Sequence, residues 1–135
     1  MTALARLNLL LMGTLIAHTL DHALNQPERG VPASAGVIGV AGFVIVGVSS
    51  LLAIRRSSAA PAAALFAGGV TAFGIVAVHL LPHWSGVVSD PYWDFAANAL
   101  SWALAVAPLV AGIALALAAA QALRRPETAA AINLP

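Results

Sequence analysis

The chain has 135 residues, of which 61% are hydrophobic and 8% charged, with a mean hydropathy of +0.93 and a formal net charge of +1. An ordinary soluble domain carries about 25% charged residues, so this composition excludes a water-soluble globule, and the near-neutral balance excludes a basic footprint for nucleic acid. The lack of cysteine excludes disulfides, thiolate metal sites and iron–sulfur clusters.

What remains is a chain whose surface faces a lipid bilayer. Four apolar stretches each reach the about 20 residues that a helix needs to cross hydrocarbon. No alternation of polar and apolar residues points to a membrane barrel. The expected fold is therefore all-α, an integral membrane four-helix bundle formed by residues 1–123, with spans near 5–25, 34–54, 61–83 and 94–123 and a flexible cytoplasmic tail at 124–135.

The first span runs from about Ala5 to Asn25 and carries His-Thr-Leu-Asp-His at positions 18–22, near its end. Arg6 and the leucine run through Leu11 also fit the start of a signal peptide, but a retained first helix is the expectation. Two prolines, a glycine and the pair Glu28-Arg29 mark the turn that follows. The second span is rich in small residues, Ala35, Gly36, Gly39, Ala41, Gly42 and Gly47, which favour close backbone approach, with Gly68-x-x-x-Ala72 of the third span as the expected counterpart.

Pro61 opens the third span, which ends in His-Leu-Leu-Pro-His at 79–83. The loop from Trp84 to Trp93 has aromatic ends, and Asp90-Pro91-Tyr92-Trp93 reads as an interfacial anchor. In the fourth span Asp94, Asn98 and Ser101 follow the i, i+4, i+7 rule and predict a polar line facing the first helix, while Pro108 predicts a bend.

Arginine sets the expected orientation, because cytoplasmic flanks collect positive charge. Arg6, Arg55, Arg56, Arg124 and Arg125 fall on one side of a four-span arrangement and Arg29 alone on the other. This places both termini in the cytoplasm (N-in, C-in) and the chain in a plasma (inner) membrane. Six arginines without lysine, and heavy use of alanine and glycine, point to a GC-rich bacterial gene.

All four histidines then lie toward the outer ends of the first and third spans. Each pair is spaced i, i+4, which stacks both imidazoles on one helical face, and Asp21 shares the face of His18. From the rise per residue His18 stands about 16 Å and His22 about 22 Å above the inner edge, with His79 at about 27 Å. Ionisable groups inside a bilayer turn inward and mark function, so His18, His22 and His79 are the expected metal ligands, with Asp21 as the fourth ligand or as the acceptor that orients a ring. His83, Asp94, Asn98 and Ser101 are further contributors at the mouth of a polar funnel. Thr14 continues the funnel beneath His18, and it stops where Leu104 to Ala120 turns apolar.

Imidazole with carboxylate suits zinc, copper(II), nickel or iron. The sequence thus points to a small membrane protein that binds a transition metal ion for uptake, sensing or export. The competing readings are a single-haem b-type protein, a membrane zinc hydrolase in which an aspartate activates water, and a cofactor-free accessory subunit of a larger membrane complex. The expected partners are the bilayer and either further copies of the chain or a larger membrane protein.

Overall fold

The computed structural model describes residues 1–26, 33–94 and 97–124. Among these residues the chain is all-helical: α1 is Ala3–Asn25, α2 Ala33–Ile54, α3 Ala60–Ile75 and α4 Ala99–Arg124. A π-helical turn, Val76–Leu80, extends α3, and a single 3-10 turn, Tyr92–Asp94, precedes α4. Four helical stretches are long and apolar enough to cross a membrane, which makes this a multi-pass membrane protein. The tail expected beyond Arg124 and the Glu28-Arg29 pair lie outside the described residues.

Each helix contacts its neighbours around a square. α1 packs on α2 and α4, α3 packs on the same two helices, and α1 meets α3 more sparsely across the diagonal. At one end Ala5, Ala53 and Ala60 pack together, joining the start of α1, the end of α2 and the start of α3. The last turns of α1 and α3 and the first turn of α4 meet at the other end, so consecutive helices run antiparallel.

The packing is inside-out relative to a soluble bundle. Ala5, Ala53, Ala64, Ala67, Ala105, Ala111 and Ala119 are buried, whereas Leu10, Ile16, Leu20, Phe66, Phe73 and Leu117 are exposed to the surroundings. Lipid removes the hydrophobic drive for burying large side chains, so helices gain most from close van der Waals contact between small ones. Three larger residues, Leu11, Val46 and Leu115, fill the middle of the bundle and are fully buried.

The small-residue seam differs from the expected one. A Cβ placed on Gly68 would stand 2.5 Å from the Gly112 carbonyl oxygen, and one on Gly112 would stand 2.9 Å from the Gly68 oxygen. Gly68-x-x-x-Ala72 therefore meets Gly112-x-x-x-Ala116 of α4, not α2. In α2 a Cβ on Gly36, Gly39 or Gly42 would meet nothing within 4 Å, and only Gly47 approaches a neighbour, Met12. Helical spacing reveals a small face but not which helix will cover it.

Two helix ends shape the half that carries the histidines. The third span closes at Leu80, short of the expected His83, because Pro82 lacks an N–H and forces Leu81 into extended backbone (φ −82°, ψ 151°). The fourth helix begins at Ala99, later than the expected Asp94. Asn98 caps it, its Oδ1 accepting from Ser101 N at 2.9 Å, so Asp94 and Asn98 precede the helix and only Ser101 remains of the predicted polar line. Replacing Asn98 by Ala should cost about 1 kcal/mol; N98D should retain stability, as read by thermal unfolding in detergent. At the opposite end of the bundle Arg56 adopts a left-handed φ of 55° and closes α2 through Arg56 N to Ala53 O (3.3 Å) and Ser57 N to Leu52 O (3.0 Å).

Candidate metal centre

The centre forms where α1 and the π-helical turn face each other. His18 and His22 stand one turn apart on α1 and place their ring centroids 4.7 Å apart. His79 lies on the π turn, 5.0 Å from the His18 ring and 5.2 Å from the His22 ring. One nitrogen from each of the three rings lies within 4.8 Å of the others. His18 and His79 are buried and His22 half-buried. Three imidazoles so placed can hold a metal ion.

The π turn is what presents His79. Leu81 N donates to Val76 O at 2.9 Å, five residues back, so the Ala77 carbonyl loses its usual helical donor, and Pro82 cannot replace it. The Trp84 indole N–H takes that carbonyl at 2.5 Å. Asp90 N donates to Val78 O at 2.8 Å, which ties the loop back onto the turn. His79 Nδ1 stands 3.0 Å from the Asp90 carbonyl oxygen. A carbonyl only accepts, so Nδ1 carries the proton and Nε2 presents its lone pair to the cluster.

That Nε2 lies 3.2 Å from Nε2 of His18, whose Nδ1 is buried without a hydrogen-bond partner. Two nitrogens bound at 2.0–2.1 Å to one tetrahedral ion stand about 3.3 Å apart. The His18–His79 spacing thus matches one edge of a coordination tetrahedron. His22 completes the group with a modest inward movement, since two such bonds span at most about 4.2 Å.

Asp21 has a different neighbourhood from its histidines. It is buried, and its carboxylate accepts from Asn25 Nδ2 at 2.7 Å, Gln26 Nε2 at 2.9 Å and Ser101 Oγ at 3.1 Å. The serine bond joins α1 to α4, as the predicted facing of those helices required. His83 and Asp94 are more than half exposed and face each other at 3.7 Å, away from the three-imidazole group. Asn98 is occupied as a cap. Thr14 turns its hydroxyl back to Leu11 O at 2.9 Å, and the fully buried Leu11, Val46 and Leu115 close the bundle below.

Sequence reasoning missed Tyr92, read only as an interfacial anchor. Its residue is 1% exposed, and its hydroxyl lies 3.4 Å from His22 Nε2 and 3.5 Å from Gln26 Nε2. The ring packs on His79 at 4.8 Å and on Trp102 at 5.4 Å. Asn25 and Gln26, the donors to Asp21, also escaped notice. The i, i+4 spacing of Asp21 and Asn25 was the available signal.

No family model, curated protein or solved structure matches this chain.

Proposed function

We propose that the protein binds a transition metal ion near one end of its membrane-spanning bundle, with His18, His22 and His79 as ligands. The observation that carries this reading is the 3.2 Å separation of the His18 and His79 Nε2 atoms with the third imidazole alongside. An ion would replace one nitrogen–nitrogen contact by two coordinate bonds.

The geometry favours a bare ion over haem. Axial ligands on opposite faces of a haem stand about 4 Å apart with bonds near 2 Å, wider than this pair, and a macrocycle would have to pass between them. The apolar plug of Leu11, Val46 and Leu115 favours capture and presentation of the ion for sensing or delivery over conduction through one bundle. The reading takes the centre to lie on the extracytoplasmic side of a plasma membrane, which the arginine distribution supports.

Metal analysis and calorimetric titration of the detergent-purified protein test this reading. One equivalent of zinc or copper is expected per chain. The His18→Ala, His79→Ala double variant should bind none while keeping its helical circular dichroism. Metal retained at full stoichiometry by that variant would refute the ligand assignment.

A further inference from the structure

Resting on that metal reading, we propose that the Tyr92 phenol oxygen is the fourth donor of the centre. The ion held would then be a divalent first-row cation in a shell of three imidazoles and one phenolate, zinc in its preferred tetrahedral geometry or copper(II). Two observations define the four positions. His18 and His79 hold their Nε2 atoms 3.2 Å apart, and His22 Nε2 and the Tyr92 hydroxyl stand 3.4 Å apart. Both match the about 3.3 Å between any two donors of a tetrahedral ion with bonds of 2.0–2.1 Å. They share no atom, so they can serve as opposite edges of one tetrahedron once the two pairs draw together, the three imidazole nitrogens already lying within 4.8 Å of one another.

The phenol is placed for this by the surrounding chain. Tyr92 is buried on a short 3-10 turn directly after Pro91, and its ring lies within 6.5 Å of all three imidazole rings. Trp102 of α4 packs edge-on against it, and Gln26 Nε2 approaches its oxygen. Asp90, two residues before Tyr92, supplies the carbonyl that orients His79. Ligand and orienting group thus arrive on one short segment, and a backbone carbonyl that takes the second ring N–H is a usual partner of a metal-bound histidine.

Charge balance points the same way. Three neutral imidazoles leave both charges of a divalent ion uncompensated in a weakly polar site, and the Asp21 carboxylate is already engaged by three donors. Phenolate coordination forms one metal–oxygen bond and breaks the O–H bond, and the proton leaves to water at the open end. The oxidation state of the metal is unchanged. Copper(II), high in the affinity order of the divalent series, is the ion whose phenolate bond can be read in the visible spectrum.

Copper(II) chloride titrated into the purified protein should give one bound equivalent and a visible phenolate-to-copper charge-transfer band. Resonance Raman excitation in that band should enhance tyrosine ring modes. Tyr92→Phe should lose the band and at least tenfold in copper affinity while its helical spectrum is unchanged, and His83→Ala should keep both. Stoichiometric copper without the band, or a band that survives in Tyr92→Phe, overturns the tyrosine assignment and leaves the three-histidine centre standing. If the unmodified chain binds neither copper nor zinc, the metal reading fails, and this one with it.

Discussion

Replacing Gly68 by leucine will drive α3 away from α4 and, with it, dismantle the proposed metal centre 11 residues further along the same span. Even the first added carbon would stand 2.5 Å from the Gly112 oxygen, 2.8 Å from Ala116 N and 3.2 Å from Ala116 Cβ. Two of those atoms are helix backbone, which cannot turn aside as a long side chain could. Gly68→Ala should therefore cost on the order of 3 kcal/mol, and the leucine variant more. The adjacent Gly69 is the control, since a Cβ there would meet nothing within 4 Å. Gly69→Ala should leave stability unchanged or raise it by up to about 1 kcal/mol through helix propensity. Thermal unfolding in detergent separates the pair. Equal melting temperatures for Gly68→Ala and Gly69→Ala would show that the helices are not in contact there.

The second large effect concerns Asp21. Its carboxylate gathers Asn25, Gln26 and Ser101, and the serine bond is the polar tie between α1 and α4 in this half of the bundle. Alanine at this position removes the acceptor of three donors, of which the exposed Asn25 can turn to water and the buried Ser101 cannot, so the loss is on the order of 3 kcal/mol, about that of one or two hydrogen bonds to a charged group. Asp21 is proposed to hold the helices that carry the histidines, leaving the ion to the imidazoles and the phenol. Asp21→Ala should then melt earlier yet still bind one equivalent of metal with an affinity within about threefold of the parent. A folded Asp21→Ala protein that has lost all metal would return the carboxylate to the ligand shell. Ser101→Ala should reproduce part of the stability loss, because it removes one of the three donors.

These two residues show where the chain was readable in advance and where it was not. Asp21 could be assigned to the site because an ionisable group within an apolar span has few places to go. Its donors were harder to name. Asn25 and Gln26 sit at a helix end, where a polar residue usually signals a turn, and Ser101 is joined to it by a contact spanning 80 positions. Gly68 could be recognised as part of a small-residue face, but α2 and α4 both offered small surfaces to cover it. The choice depends on how the square closes. The three imidazoles were legible because i, i+4 spacing and chain direction place them at one end regardless of packing detail.

Tyr92 is the plainest case of a residue whose role had no local signal. A tyrosine between Pro91 and Trp93 has the composition of an interfacial anchor, and Trp93 is indeed exposed. Its neighbour turns inward only because Asp90 is pinned to the π turn by its N–H and its carbonyl. That pinning follows from Pro82, which ends the helix, and from a loop long enough to fold back.

Composition and hydrophobic length, which act residue by residue, sufficed to establish a membrane protein with four crossings and to put the histidines at a common end. Which rings meet, which glycines touch and what turns toward the imidazoles are properties of contacts between segments far apart in the chain. Only the closed bundle decides them, because a helix repeats its faces every turn and leaves the choice of neighbour to packing.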